Sequence, residues 1–137
     1  MNFPKFIFYC ALITLLASCG GNNISYDKEK NEVIGEDGSI IRLKIDADTF
    51  TYNFYLIPLE NSTRRLKLCD YNDGYRTYVN TKNGSEDVNY KFKFQPNKEY
   101  TIKNNSNGDA SSCTIYLVTD STAKVIQWRR EGSTRTY

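Results

Sequence analysis

Val88-Asn89-Tyr90-Lys91-Phe92-Lys93-Phe94-Gln95-Pro96-Asn97-Lys98-Glu99-Tyr100-Thr101-Ile102-Lys103 is the stretch that decides the fold. Val88, Tyr90, Phe92 and Phe94 alternate with Asn89, Lys91 and Lys93, the period of two expected of a strand with one buried face. Gln95-Pro96-Asn97-Lys98 interrupts the alternation with turn residues, and Glu99-Tyr100-Thr101-Ile102-Lys103 resumes it. Strand, tight turn and strand again point to antiparallel β-structure.

The same pattern extends in both directions from this stretch, beginning at Val33, with no helical period. Ile41-Arg42-Leu43-Lys44-Ile45 alternates apolar with basic residues. Phe50-Thr51-Tyr52-Asn53-Phe54-Tyr55-Leu56-Ile57 sets Phe50, Tyr52, Phe54 and Leu56 on one face, and Pro58, lacking an amide donor, ends it. Arg65-Leu66-Lys67-Leu68-Cys69, Tyr75-Arg76-Thr77-Tyr78-Val79, Cys113-Thr114-Ile115-Tyr116-Leu117-Val118-Thr119 and Lys124-Val125-Ile126-Gln127-Trp128 read as further strands. Turn chemistry separates them at Glu36-Asp37-Gly38-Ser39, Tyr71-Asn72-Asp73-Gly74, Lys82-Asn83-Gly84-Ser85 and Asn107-Gly108-Asp109, where Asn-Gly and Asp-Gly supply positive φ. Seven or eight short strands predict an all-β domain over residues 33–130, a single antiparallel β-sandwich or, alternatively, a small β-barrel. Residues 131–137 are expected to be a C-terminal tail.

Phe94-Gln95-Pro96-Asn97-Lys98-Glu99-Tyr100-Thr101-Ile102 resembles the stretch before strand F of fibronectin type III and related Ig-like domains. In those domains a tyrosine caps the E–F corner by hydrogen bonding back to the chain. The resemblance implies an Ig-like sandwich with Tyr100 at the structural corner. The chain departs from the pattern in having no early Trp in strand B or C.

The N-terminus has a separate logic. Lys5 supplies a positive charge, and Phe6-Ile7-Phe8-Tyr9-Cys10-Ala11-Leu12-Ile13-Thr14-Leu15-Leu16 is an apolar run of signal-peptide length. It is short for a bilayer span, which takes ~20 apolar residues. Leu16-Ala17-Ser18-Cys19 resembles the lipobox of bacterial lipoproteins, in which the peptidase cuts before the cysteine and the cysteine carries the lipid. The resemblance implies a signal peptide over residues 1–18, lipidation of Cys19 and stable anchoring by several acyl chains. Gly20, rather than Asp, follows the cysteine, which in enterobacteria-like sorting favours the outer membrane, on either its periplasmic face or the cell surface. Residues 19–32 are polar and without periodicity, and read as the lipidated cysteine and a flexible tether of roughly 20 Å end to end.

Removal of residues 1–18 from the 137 leaves 119, enough for one core. The mature charge is near neutral, which gives no electrostatic reason to expect nucleic acid. The chain has no histidine, which removes Ser-His-Asp and Cys-His catalysis and His-ligated zinc. With Cys10 in the leader and Cys19 lipidated, Cys69 and Cys113 remain as an even pair in an oxidising compartment. They are expected to form a disulfide, the competing reading being two independent buried thiols.

Asp70-Tyr71-Asn72-Asp73-Gly74 looks superficially like a calcium loop, but its glycine arrives one residue early and position twelve is Thr81 rather than Glu. Glu86 and Asp87 are adjacent on a strand and would point to opposite faces, unlike a glycosidase pair. Asp120-Ser121-Thr122 resembles a short Bacteroidetes O-glycosylation sequon and also reads as a turn. No catalytic residue, metal or cofactor is expected. Tyrosines offer large rigid area with a hydroxyl handle, so Tyr71, Asn72, Tyr75, Arg76 and Tyr78 are the expected contact surface. These readings predict a lipid-anchored, non-enzymatic envelope protein that binds an envelope protein or glycan. The alternative is a periplasmic inhibitor or immunity protein against a toxin or lysozyme.

Overall fold

The computed structural model describes residues 21–47, 53–61, 63–69, 74–81, 83–88, 92–108 and 111–137. Within them lie ten strands and no helix: β1 Ile24–Asp27, β2 Glu32–Gly35, β3 Leu43–Ala47, β4 Phe54–Pro58, β5 Arg65–Lys67, β6 Tyr75–Thr81, β7 Gly84–Val88, β8 Glu99–Asn104, β9 Cys113–Thr119 and β10 Val125–Arg130. They form two antiparallel sheets, β1-β2-β5 and β10-β9-β8-β3-β4-β6-β7. Both sheets stay open, so the architecture is a sandwich and not a closed barrel.

Setting aside β10 and the β6–β7 hairpin leaves β1-β2-β5 against β9-β8-β3-β4. The hairpin widens the larger sheet beyond β4, and β10 widens it beyond β9. Thr81 pairs with Gly84 to close the hairpin. The φ of 119° at Gly84 lies where side chains are rarely tolerated.

Alternation builds the core. Leu43, Ile45 and Ala47 of β3, Tyr100 and Ile102 of β8, and Ile115 and Leu117 of β9 face inward with Leu56 of β4. Ile24, Tyr26, Val33 and Leu66 of the smaller sheet join the same cluster. Cross-strand neighbours Ile45, Ile102 and Ile115 lie side by side through β3, β8 and β9. Truncating any one of these to alanine would cost about 2–5 kcal/mol.

Four expectations need correction. The segment read as a tether is part of the fold: Asn22 is buried, Ile24–Asp27 is β1, and β1 pairs with Glu32–Gly35. Short apolar alternation within polar sequence hid it. Of the strand expected over residues 88–94, Val88 is the last residue of β7, Asn89, Tyr90 and Lys91 lie outside the described residues, and Phe92 and Phe94 lie outside the ladders. Both rings still pack inward, meeting each other at 5.1 Å and Tyr100 at 5.8 and 4.9 Å between centroids. The C-terminal residues are tied down as well. Trp128 and Tyr137 exchange backbone hydrogen bonds of 2.9 and 2.8 Å, and their rings stack at 4.8 Å.

The fourth correction concerns the disulfide: Cys69 and Cys113 are both free thiols. Cys113 pairs with Asn104 at the end of β8. Cys69 lies near the Phe94 backbone, ahead of the start of β8. The two sulfurs thus belong to opposite ends of a strand six residues long, about 20 Å at 3.3 Å per residue. A disulfide needs Cα atoms within about 7 Å. Burial pushes the Cys69 thiol up, partly offset by hydrogen bonds from the Phe94 backbone and the Asn31 side chain.

Candidate binding face

The inward set of each strand fixes its outward set. With Leu43 and Ile45 in the core, Lys44 faces out, and with Leu56 in the core, Tyr55 faces out. On β6, Tyr75, Thr77 and Val79 are buried while Arg76 is exposed and Tyr78 half-buried. The ladders align these outward residues into a row. Asp87 opposes Tyr78, Tyr78 opposes Tyr55, Tyr55 opposes Lys44, and Lys44 opposes Lys103. Directly opposed residues have Cβ atoms about 4.5–5.5 Å apart, so the row is continuous across five strands.

A second row lies beside it. Asp46 opposes Thr101, Thr101 opposes Tyr116, and Tyr116 opposes Arg129. The Arg129 guanidinium sits 4.1 Å from the centre of the Tyr116 ring, and that of Arg42 lies 5.5 Å from the Tyr55 ring. Cations over aromatic faces hold both partners in place. The outer face of the larger sheet thus presents Tyr55, Tyr78 and Tyr116 among Arg42, Lys44, Arg76, Lys103 and Arg129. Its pair of directly opposed lysines is unfavourable for a sheet on its own, by some tenths of a kcal/mol.

The expected contact surface divides. Tyr71 and Asn72 lie outside the described residues, as does Cys19. Arg76 and Tyr78 lie on the outer face. Tyr75 does not: it is 2 % exposed and belongs to the core. The reason is parity, because residues 75 and 78 are separated by an odd number of positions and a strand sends them to opposite faces. Tyr55, Lys44, Lys103 and Tyr116 were not singled out in the sequence. Their alternation was legible, but their juxtaposition depends on strand order.

Tyr100 sits fully buried at the start of β8 and reaches back along the chain. The Gln95 N–H donates to its phenolic oxygen at 2.6 Å. Thr119 completes the corner, donating from its hydroxyl to the Gln95 carbonyl at 2.7 Å and accepting from the Lys98 N–H at 2.9 Å. Burial raises the Tyr100 hydroxyl pKa, and the Gln95 hydrogen bond partly offsets this.

At the same end of the sandwich a shallow groove of about 400 Å³ is lined by Lys28, Glu29, Asp120, Lys124, Val125 and Ile126. Asp120 organises its turn by accepting from the Thr122 hydroxyl at 2.7 Å and from the Thr122 and Lys124 N–H groups at 2.8 and 3.0 Å. These bonds, the Thr122 hydroxyl first, hold its carboxyl below the usual carboxylate range. Asp120-Ser121-Thr122 is therefore a turn stabilised by its own side chains. Among the described residues no three His, Cys, Asp or Glu side chains come together as a metal site. No known protein family, no curated protein and no solved structure matches this chain.

Proposed function

We propose that the chain is a lipid-anchored protein of the bacterial cell envelope, held in the outer membrane through Cys19. In this reading the β-sandwich is a non-enzymatic binding or accessory domain that engages an envelope protein or glycan. The observation that carries the binding reading is the row Tyr78-Tyr55-Lys44-Lys103 on the outer face of the larger sheet. Tyrosines and arginines are the side chains that anchor interfaces, and tyrosine rings also stack on sugars. Two opposed lysines disfavour the sheet alone, and an acidic partner would offset that repulsion. The lipobox and the absence of histidine support anchorage and a non-enzymatic role.

The test compares wild type with Tyr55→Ala/Tyr78→Ala, both with Cys19 intact. Each is cross-linked in envelopes and separately incubated with isolated peptidoglycan. The substituted side chains are half-exposed, so circular dichroism should be unchanged. A partner or glycan retained at least about tenfold better by wild type is expected, as for loss of a central aromatic anchor. Equal retention would sink the proposed face. A retained toxin or lysozyme would identify the protein as an inhibitor.

A further inference from the structure

The residues just after Gly20 are clamped to the domain. Buried Asn104 donates from Nδ2 to the Asn22 carbonyl at 3.0 Å. Asn107 donates from its N–H to Asn22 Oδ1 at 2.8 Å and from Nδ2 to the Gly21 carbonyl at 2.7 Å. The Gly21 N–H donates to the Asp37 carbonyl at 3.1 Å. A Cβ on Gly38 would lie 2.4 Å from the Gly21 carbonyl oxygen, so the two backbones touch. Where the proposed anchor holds, on which this inference rests, only Gly20 separates Cys19 from this clamp. Two residues span at most about 7 Å. That is about the depth of one headgroup layer, half the difference between a core of ~30 Å and a bilayer of ~40–45 Å. The domain cannot stand off from the membrane.

Register determines which residues share that end. Leu43 at the start of β3 opposes Asn104 at the end of β8, which opposes Cys113 at the start of β9. The Ile41 and Arg42 N–H groups donate to Ser106 Oγ at 2.9 and 3.0 Å. Leu59 follows Pro58, which ends β4 opposite Tyr75. Ile41 and Leu59 are 56 % and 50 % exposed, two of the four large apolar side chains so exposed among the described residues. Ile126, another of them, lies at the far end beside the β9–β10 turn.

We infer that the end of the sandwich bearing Gly21, Ile41 and Leu59 is a membrane-docking surface. Ile41 and Leu59 enter the interface of the bilayer that holds the Cys19 lipid, as the apolar face of a monotopic protein does. Local charge is mixed: Arg42 and Arg64 stand near Glu60 and Asp37, and Arg130 pairs with Glu36 at 2.7 Å. Contact is therefore apolar and only weakly salt-dependent. Docked this way, the strands run outward from the lipid, the Tyr78-Tyr55-Lys44-Lys103 row faces sideways, and the Asp120 turn stands roughly 23 Å out along the seven residues of β9.

The test uses the full lipidated protein, purified from membranes and reconstituted in phosphatidylethanolamine–phosphatidylglycerol vesicles containing brominated lipid. Three variants, Ile41→Trp, Leu59→Trp and Ile126→Trp, each add one tryptophan to the constant background of Trp128. Quenching of the residue 41 and 59 fluorophores should exceed that at 126 by about twofold or more, given burial of 5–10 Å for an interfacial residue, and should survive 1 M salt. Intact mass reports the Cys19 lipid in the same samples. Lipid present with equal or absent quenching at 41 and 59 would overturn the docking surface alone and leave those residues to another occupant. Absence of the lipid would overturn the anchor reading and the docking surface together.

Discussion

Asn104 holds Asn22: its buried Nδ2 donates to the Asn22 carbonyl at 3.0 Å while its Oδ1 accepts from the Ser106 hydroxyl at 2.5 Å. One side chain thus links the start of the described chain to the β8–β9 connection, 82 residues away in sequence. Asn104→Ala leaves a buried carbonyl without its donor, which costs about 1–3 kcal/mol. Urea denaturation should show the midpoint fall with the m-value unchanged. Hydrogen exchange should speed up first at residues 21–24, since the clamp and not the large sheet is lost. Uniformly unchanged exchange there would mean that the clamp does not hold this segment.

Tyr100 carries two separable roles, the ring in the aromatic cluster and the hydroxyl at the corner. Tyr100→Phe keeps the ring contacts with Phe92 and Phe94 and removes the acceptor for the Gln95 N–H. A loss of about 1 kcal/mol is expected, the usual net worth of such a bond. Tyr100→Ala should lose about 3–5 kcal/mol, because it empties the core as well. Thermal unfolding of the three proteins separates these terms, and equal losses for both variants would assign the whole effect to the hydroxyl.

What was legible in the sequence follows from how locally each feature is encoded. Cys113–Thr119 and Glu99–Asn104 were legible to within a residue, because long apolar alternation between turn residues has few competing readings. The corner tyrosine was legible because its partner lies five residues away. β1 and β2 were not. Ile24, Tyr26 and Val33 are sparse apolar residues among Ser25, Asp27 and Glu32, and they are buried only because the smaller sheet covers the larger one. The proposed face was half legible: Arg76 and Tyr78 belonged to the expected contact surface, whereas Tyr55, Lys44 and Lys103 join them only through strand order.

The thiols make a direct chemical prediction. With Cys69 half-buried and Cys113 buried, both free, denatured mature protein should titrate two thiols without reductant, and the native protein almost none within minutes. Intact mass should be the same before and after reduction. The raised pKa of Cys69 also sets a pH dependence. Its contribution to stability is complete below the unfolded value near 9.0 and is lost as pH rises through the folded value, because the unfolded chain gives up its proton first. Cys69→Ala should flatten that alkaline decline while lowering stability at neutral pH through lost packing. A two-dalton mass increase on reduction would establish a disulfide and refute the free pair.

Thr77 offers a gain in stability. It is 2 % exposed on the inward face of β6, and its Oγ1 has no hydrogen-bond partner among the described residues. It opposes Leu56 on one side and Val88 on the other, so the hydroxyl lies in apolar surroundings. Burying a hydroxyl without a partner costs about 1–3 kcal/mol by mutational measures. Thr77→Val has nearly the same shape and the same preference for strand geometry, and it removes only the polarity. A gain of about 1 kcal/mol is expected, or roughly 4 °C in melting temperature for a domain of this size. Thr77→Ser does the reverse, keeping the hydroxyl and deleting a buried methyl, and should lose about 1 kcal/mol. If the serine variant melts above the valine variant, the Thr77 hydroxyl has a hydrogen-bond partner and the assignment of an unsatisfied group in the core of β6 fails.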